Sequence, residues 1–98
     1  MVRKKIIWSP RAKIELKITL EYFNKRNGST NYSLRILKEI EDLTKTLSKS
    51  EFIGRLTSNK TTRVIPMKHY LLFYEINSGK IEIVSFWDNR QDISNRVL

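Results

Sequence analysis

The amino-acid sequence predicts a single α+β domain over residues 1–98, in the order β-α-α-β-β-β, with an N-terminal helical hairpin packed on one face of an antiparallel sheet. Three observations predict it. A Ser9-Pro10 helix start follows a short β-branched segment, two long apolar-periodic segments are separated only by Gly28 to Thr30, and the C-terminal half alternates like strands. The length suits one hydrophobic core rather than two. No linker, internal repeat or low-complexity tract divides the chain.

The first element is Lys4-Lys5-Ile6-Ile7-Trp8, a strand rich in β-branched and aromatic side chains. Ser9 then supplies an N-cap, and Pro10 stands at the first helical position, where its missing N–H is not needed. The stretch from Ile14 to Tyr22 alternates with period two and so fits a strand as well as a helix. The preceding cap, the length and the closing Asn27-Gly28 favour a helix. Its apolar residues form two stripes, Ala12, Leu16, Leu20 and Phe23 on one side and Ile14, Ile18 and Tyr22 on another. Such a helix requires two apolar surfaces: a sheet, and either a second helix or a partner protein.

Ser29 or Thr30 is expected to cap the next helix, whose Tyr32, Ile36, Ile40, Leu43 and Leu47 form one core stripe. Arg35, Lys38, Glu39, Glu41, Asp42 and Lys45 occupy its solvated face. The short connection makes the two helices an antiparallel hairpin. Ser48 to Thr61 reads as a loop pinned by Phe52, Ile53 and Leu56, and its length suggests a binding role. Arg63 to Met67 is a strand, placed at an edge or bulge by Pro66. Tyr70 to Ile76 and Lys80 to Trp87 form a hairpin about Asn77-Ser78-Gly79. In the second of these strands Ile81 and Ile83 are expected on one face and Val84 and Phe86 on the other, which makes it central. The tail from Asp88 to Leu98 is polar, with room for a short helix.

Nineteen Lys and Arg against ten Asp and Glu give a formal charge of +9 and imply a polyanionic partner, either nucleic acid or an acidic protein segment. The absence of cysteine excludes disulfides, thiolate nucleophiles and cysteine-ligated metals. No apolar run is long enough to span a membrane or serve as a secretory leader, so a soluble cytoplasmic protein without membrane association is expected.

Nucleotide-binding loops, HExxH and GxSxG are all missing. A single histidine, His69, excludes two-histidine acid–base catalysis, and at a strand end it fits a structural role better than a catalytic one. Metal binding would need carboxylates that cluster only as Glu39, Glu41 and Asp42 or as Asp88 and Asp92; the helical group fits a solvated face better, and no metal or other cofactor is expected. The remaining chemistry is cationic. Arg63, Lys68, His69 and Arg90 stand at strand ends where they could meet on one side of the sheet and stabilise charge on a phosphate. The alternative is that Arg63 and Arg90 hold Asp88 and Asp92 in structural ion pairs.

Three segments, Ile7 to Ala12, Arg63 to Ile76 and Ile81 to Asp92, together resemble in order and spacing the RelE/ParE superfamily of type II toxins, along nearly the whole chain. The resemblance implies the β-α-α-β-β-β fold, a cognate antitoxin whose tail wraps the toxin, and an oligomeric toxin–antitoxin complex. A basic toxin suits an antitoxin with an acidic segment, although the antitoxin-binding surface is not fixed by the sequence.

RelE-like relatives cut mRNA on the translating ribosome, whereas ParE-like relatives inhibit DNA gyrase. Of the nuclease set, Arg63 and Arg90 match candidate catalytic positions. Leu71, the residue following Tyr70, stands where RelE has arginine, no tyrosine occurs after Tyr74, and the tail offers neither tyrosine nor histidine. The long helical hairpin, with Tyr22-Phe23-Asn24 and Asn27-Gly28, is also more similar to the ParE branch. The resemblance therefore implies a ParE-like gyrase inhibitor, with Lys68, His69, Arg90 and Arg63 as target-binding candidates. A ribosome-dependent mRNA endonuclease is the alternative. A non-toxic nucleic-acid-binding module, with Tyr70, Tyr74 and Trp87 as stacking candidates, needs only the charge.

Overall fold

A computed structural model describes residues 4–88. The chain runs β1 (Lys5–Trp8), α1 (Pro10–Asn27), α2 (Asn31–Lys49), β2 (Arg55–Leu56), β3 (Thr62–Met67), β4 (Tyr70–Asn77) and β5 (Lys80–Asp88). The strands form one sheet in the order β1-β5-β4-β3-β2. The expected architecture is present, with two differences. The β1–β5 pair is parallel, joining Ile6 to Ile81 and Trp8 to Ile83, while the other pairs are antiparallel. A two-residue strand, β2, also lies within the segment expected to be a loop.

α1 starts as its sequence dictates. The Ser9 hydroxyl accepts the Ala12 N–H at 3.1 Å and donates to the Val84 carbonyl at 3.2 Å, so one side chain caps the helix and ties it to β5. The Glu15 carboxylate accepts from the Ser85 hydroxyl at 2.9 Å and the Phe86 N–H at 3.1 Å, beyond the last residue of β5 that pairs with β1. Gly28 donates back to the Asn24 carbonyl and ends the helix. The expected side-chain cap of α2 is not made: Thr30 contributes only its carbonyl, to the Leu34 N–H. The hairpin is instead joined by Ser33, whose hydroxyl meets the Leu20 carbonyl and the Asn24 side chain, and by the Phe23–Tyr32 ring contact. The α2 outer face carries the Lys38–Asp42 and Glu41–Lys45 pairs, each at 3.1 Å, as expected of a solvated helix surface.

The core lies between the helices and one face of the sheet. Ala12, Phe23, Ile36, Ile40 and Leu47 pack there with Tyr70, Leu72, Tyr74, Ile81, Ile83 and Phe86. The placement of Phe86 differs from simple alternation. Tyr74 pairs with Ile83 and Phe73 with Ser85, leaving Val84 as an extra residue that returns Phe86 to the face of Ile83. Of the two stripes on α1, Ala12, Leu16, Leu20 and Phe23 join the core. Ile14, Ile18 and Tyr22 remain more than half exposed, so α2 is not their second surface.

Candidate functional site

The segment between α2 and β3 is two tight structures rather than a long loop. Its second part is a turn in which Thr57 N–H bonds the Thr62 carbonyl, and the Asn59 side-chain oxygen accepts the N–H groups of Thr61 and Thr62. The first part, Ser50 to Gly54, crosses from α2 to the sheet edge. The hydroxyl of Tyr74 accepts the Gly54 N–H at 2.9 Å and donates to the Glu51 carbonyl at 2.7 Å. Burial pushes this phenol above its ordinary range, which keeps the proton needed for the donated bond. Gly54 is required by proximity: a Cβ there would stand 2.6 Å from a Tyr74 ring carbon.

Arg63 completes the clamp. One of its guanidinium nitrogens donates to the Gly54 carbonyl at 2.7 Å, and the guanidinium carbon lies 5.1 Å from the centre of the Phe52 ring. At the other side of the segment, Lys4 pairs with Glu51 at 3.4 Å. The residues expected to pin this segment therefore do not do so. Phe52, Ile53 and Leu56 are 66%, 47% and 44% exposed, and buried polar contacts fix the backbone instead. No sequence periodicity marks the Tyr74 or Glu15 contacts. Only the isolated Gly54 gave a local sign of close packing.

The sheet face away from the helices presents an apolar groove of about 680 Å³, lined by Ile53, Leu56, Val64, Pro66, Leu71 and Phe73 with Arg55 as its one charged member. A polar stretch adjoins it, with Asn59, Thr62, Glu75 and Ser85, and there the Thr62 hydroxyl donates to Glu75 at 2.7 Å. Pro66 is exposed on the part of β3 that β2 does not pair with, which agrees with its expected edge position.

The cationic candidates do not converge among the described residues. Arg63 pairs with Tyr74, whereas Lys68 and His69 form the β3–β4 turn, five residues along the chain and so roughly 16 Å away at strand spacing. Lys68 is exposed and His69 half-buried. Arg63 is held by a backbone carbonyl and an aromatic ring rather than by a carboxylate. Arg90 and Asp92 lie outside the described residues, as does the tail beyond Asp88. Of the stacking candidates, Tyr70 and Tyr74 are buried in the core, Tyr70 stacked on Phe86 with ring centres 4.9 Å apart, and Trp87 is half-buried. No group of three or more acidic or histidine side chains suited to a metal occurs among the described residues. Nor is any helix among them long and apolar enough to cross a membrane.

Comparison with known proteins gives a consistent assignment. A search of curated proteins finds no match. Among solved structures, the chain is similar to one described as a chromosomal ParDE TA system from P. aeruginosa, with a TM-score of 0.74 and 14% identity. That match covers 88% of this chain and 96% of the other, and at such low identity it establishes a shared fold. The family model for the ParE toxin of the type II toxin–antitoxin system parDE matches residues 6–93, from the first strand past the last. With nearly the whole chain matched, the protein belongs to the ParE toxin family of type II toxin–antitoxin systems.

Proposed function

We propose that this toxin acts by binding DNA gyrase in the cytoplasm rather than by cutting mRNA, and that a cognate antitoxin with an acidic segment neutralises it in an oligomeric complex. The observation that carries the target assignment is the state of the residues a nuclease would need. Arg63 has its guanidinium engaged by Gly54 and Phe52, within a clamp that shapes the loop. Leu71, in the position where RelE has an arginine, lines an apolar groove. A leucine side chain at that position offers no charge to a scissile phosphate, so binding fits this surface better than phosphodiester chemistry.

Lys68 and His69, on an accessible turn, and Arg90 contact the target in this reading, and Arg63 contributes by holding the loop. The antitoxin part of the proposal is supported by family membership and by the +9 charge, which favours association with an acidic segment. The decisive experiment assays purified protein side by side on gyrase supercoiling and on mRNA in translating ribosomes. Gyrase inhibition without mRNA cleavage is the expected result. Cleavage that Arg63→Ala or Arg90→Ala abolishes in a folded protein would overturn the reading in favour of the nuclease. Toxicity on expression, relieved by the neighbouring gene's product, tests the antitoxin part, and harmless expression in a close host would leave only a non-toxic nucleic-acid-binding module.

A further inference from the structure

We infer that the exposed stripe of α1 joins two copies of this chain in a weak two-fold dimer, an inference that goes beyond the toxin reading and does not depend on it. Ile14, Ile18 and Tyr22 are each more than half exposed, although the other apolar stripe of the same helix packs in the core. They recur every four residues with Ile18 at the centre, so they form a row along the helix. Such a row is complementary to itself. When two α1 helices meet antiparallel across a two-fold axis, Ile18 meets its own copy and Ile14 meets Tyr22 of the second copy.

Charge favours the same arrangement. Lys17 and Glu21 border the row and form only a loose pair at 4.0 Å, with both side chains well exposed. Their midpoint falls within one residue of Ile18, so the same axis brings Lys17 of each copy towards Glu21 of the other. Each copy supplies both charges. Leu37 of α2 widens the patch: it lies one turn beyond Ser33, which is bonded to α1, and is exposed. The stripe is on the side of α1 away from the core, so the dimer leaves the Lys68–His69 turn of both copies accessible.

Two opposing terms keep the dimer weak. Arg11 and Lys25 each lie two turns from Ile18, where antiparallel pairing sets them against each other, and each copy carries +9. A few half-exposed side chains also make a small contact beside the roughly 1,200 Å² that a stable interface buries. Salt screens the net repulsion, so association strengthens as ionic strength rises.

The test is sedimentation equilibrium of the full chain from about 10 µM to about 1 mM, in about 0.05 M and about 0.3 M salt. The average mass is expected to move from monomer towards dimer with concentration, and further at the higher salt. Ile18→Glu sets like charges at the two-fold axis and should weaken association about tenfold or more, whereas Ile53→Glu, the same change on the exposed loop, should stay within about threefold of the parent. Circular dichroism melts verify that each variant is folded. Lys17→Glu lowers the net charge yet sets two acids together across the axis, so it should weaken the dimer about threefold, and Lys17→Glu with Glu21→Lys should restore it. A monomer at every concentration and salt would overturn the inference, as would parent-like association of Ile18→Glu, an equal loss in Ile53→Glu, or a dimer strengthened by Lys17→Glu.

Discussion

The two faces of the sheet are built from the same strands and serve different ends. On β4, Tyr70, Leu72 and Tyr74 point toward the helices and are at most 3% exposed, while their neighbours Leu71 and Phe73 face the other way and are only half-buried. Both sets are apolar. Strand alternation therefore decides which of them are buried in the core and which remain partly exposed. The covered face commits its side chains to intramolecular packing, and the open face keeps apolar surface that folding alone does not use.

The largest effect should come from cutting the covered face at its centre. Leu72 is fully buried and packs within the cluster joining both helices to the sheet. Leu72→Ala removes that packing and leaves a cavity, so a loss of about 2–5 kcal/mol is expected in urea unfolding. Leu71→Ala, the adjacent residue on the open face, should lose markedly less. Equal losses at the two positions would show that the open face carries as much of the stability as the core, and would end the contrast.

Tyr74 sharpens the comparison because it belongs to the covered face yet controls the shape of the open one. Tyr74→Phe keeps the ring but leaves the Gly54 N–H and Glu51 carbonyl without their partner, for an expected loss of about 1–3 kcal/mol. The phenol also predicts a pH dependence. Its folded pKa is raised above the ordinary 10.0, chiefly by burial, so the protonated form is the one that folding favours. Its contribution is complete below pH 10.0 and is lost as pH rises through the higher folded value. Alkaline titration followed by circular dichroism should show the parent destabilised above that point, with a shallower decline in Tyr74→Phe. Parallel declines would assign the alkaline sensitivity to other groups.

The sequence made some of this organisation legible. Ser9-Pro10, the Tyr32-to-Leu47 stripe and the Asn77-Ser78-Gly79 turn are local signals, and the structure contains each of the elements they predict. What could not be read depends on distant partners. The parallel β1–β5 pair joins residues from opposite ends of the chain, and β2 is too short to show a period. Phe86 changed face because one unpaired residue, Val84, interrupts the alternation on which the expectation relied. At the candidate site, the bulk charge and the exposed β3–β4 turn were visible, but the role of Arg63 was not. Its partners, Phe52 and Gly54, become neighbours only after the loop has crossed the sheet edge.

α1 repeats the contrast between covered and uncovered apolar surface on a single helix, and it offers the smallest effect. Leu16 and Ile18 look alike in the sequence, since each belongs to an apolar stripe at helical spacing. Leu16 packs against the core, whereas Ile18 is 61% exposed. Ile18→Ala removes little buried surface and replaces a β-branched residue with a better helix former, worth about a few tenths of a kcal/mol in favour of folding. Its unfolding midpoint should match or slightly exceed the parent's, while Leu16→Ala should lower it. A clear loss in Ile18→Ala alone, measured on dilute monomer, would mean that this stripe is buried in the folded chain after all. Loss only at concentrations where the chain self-associates would instead identify the stripe as a contact between copies, because mass action stabilises whatever form is bound.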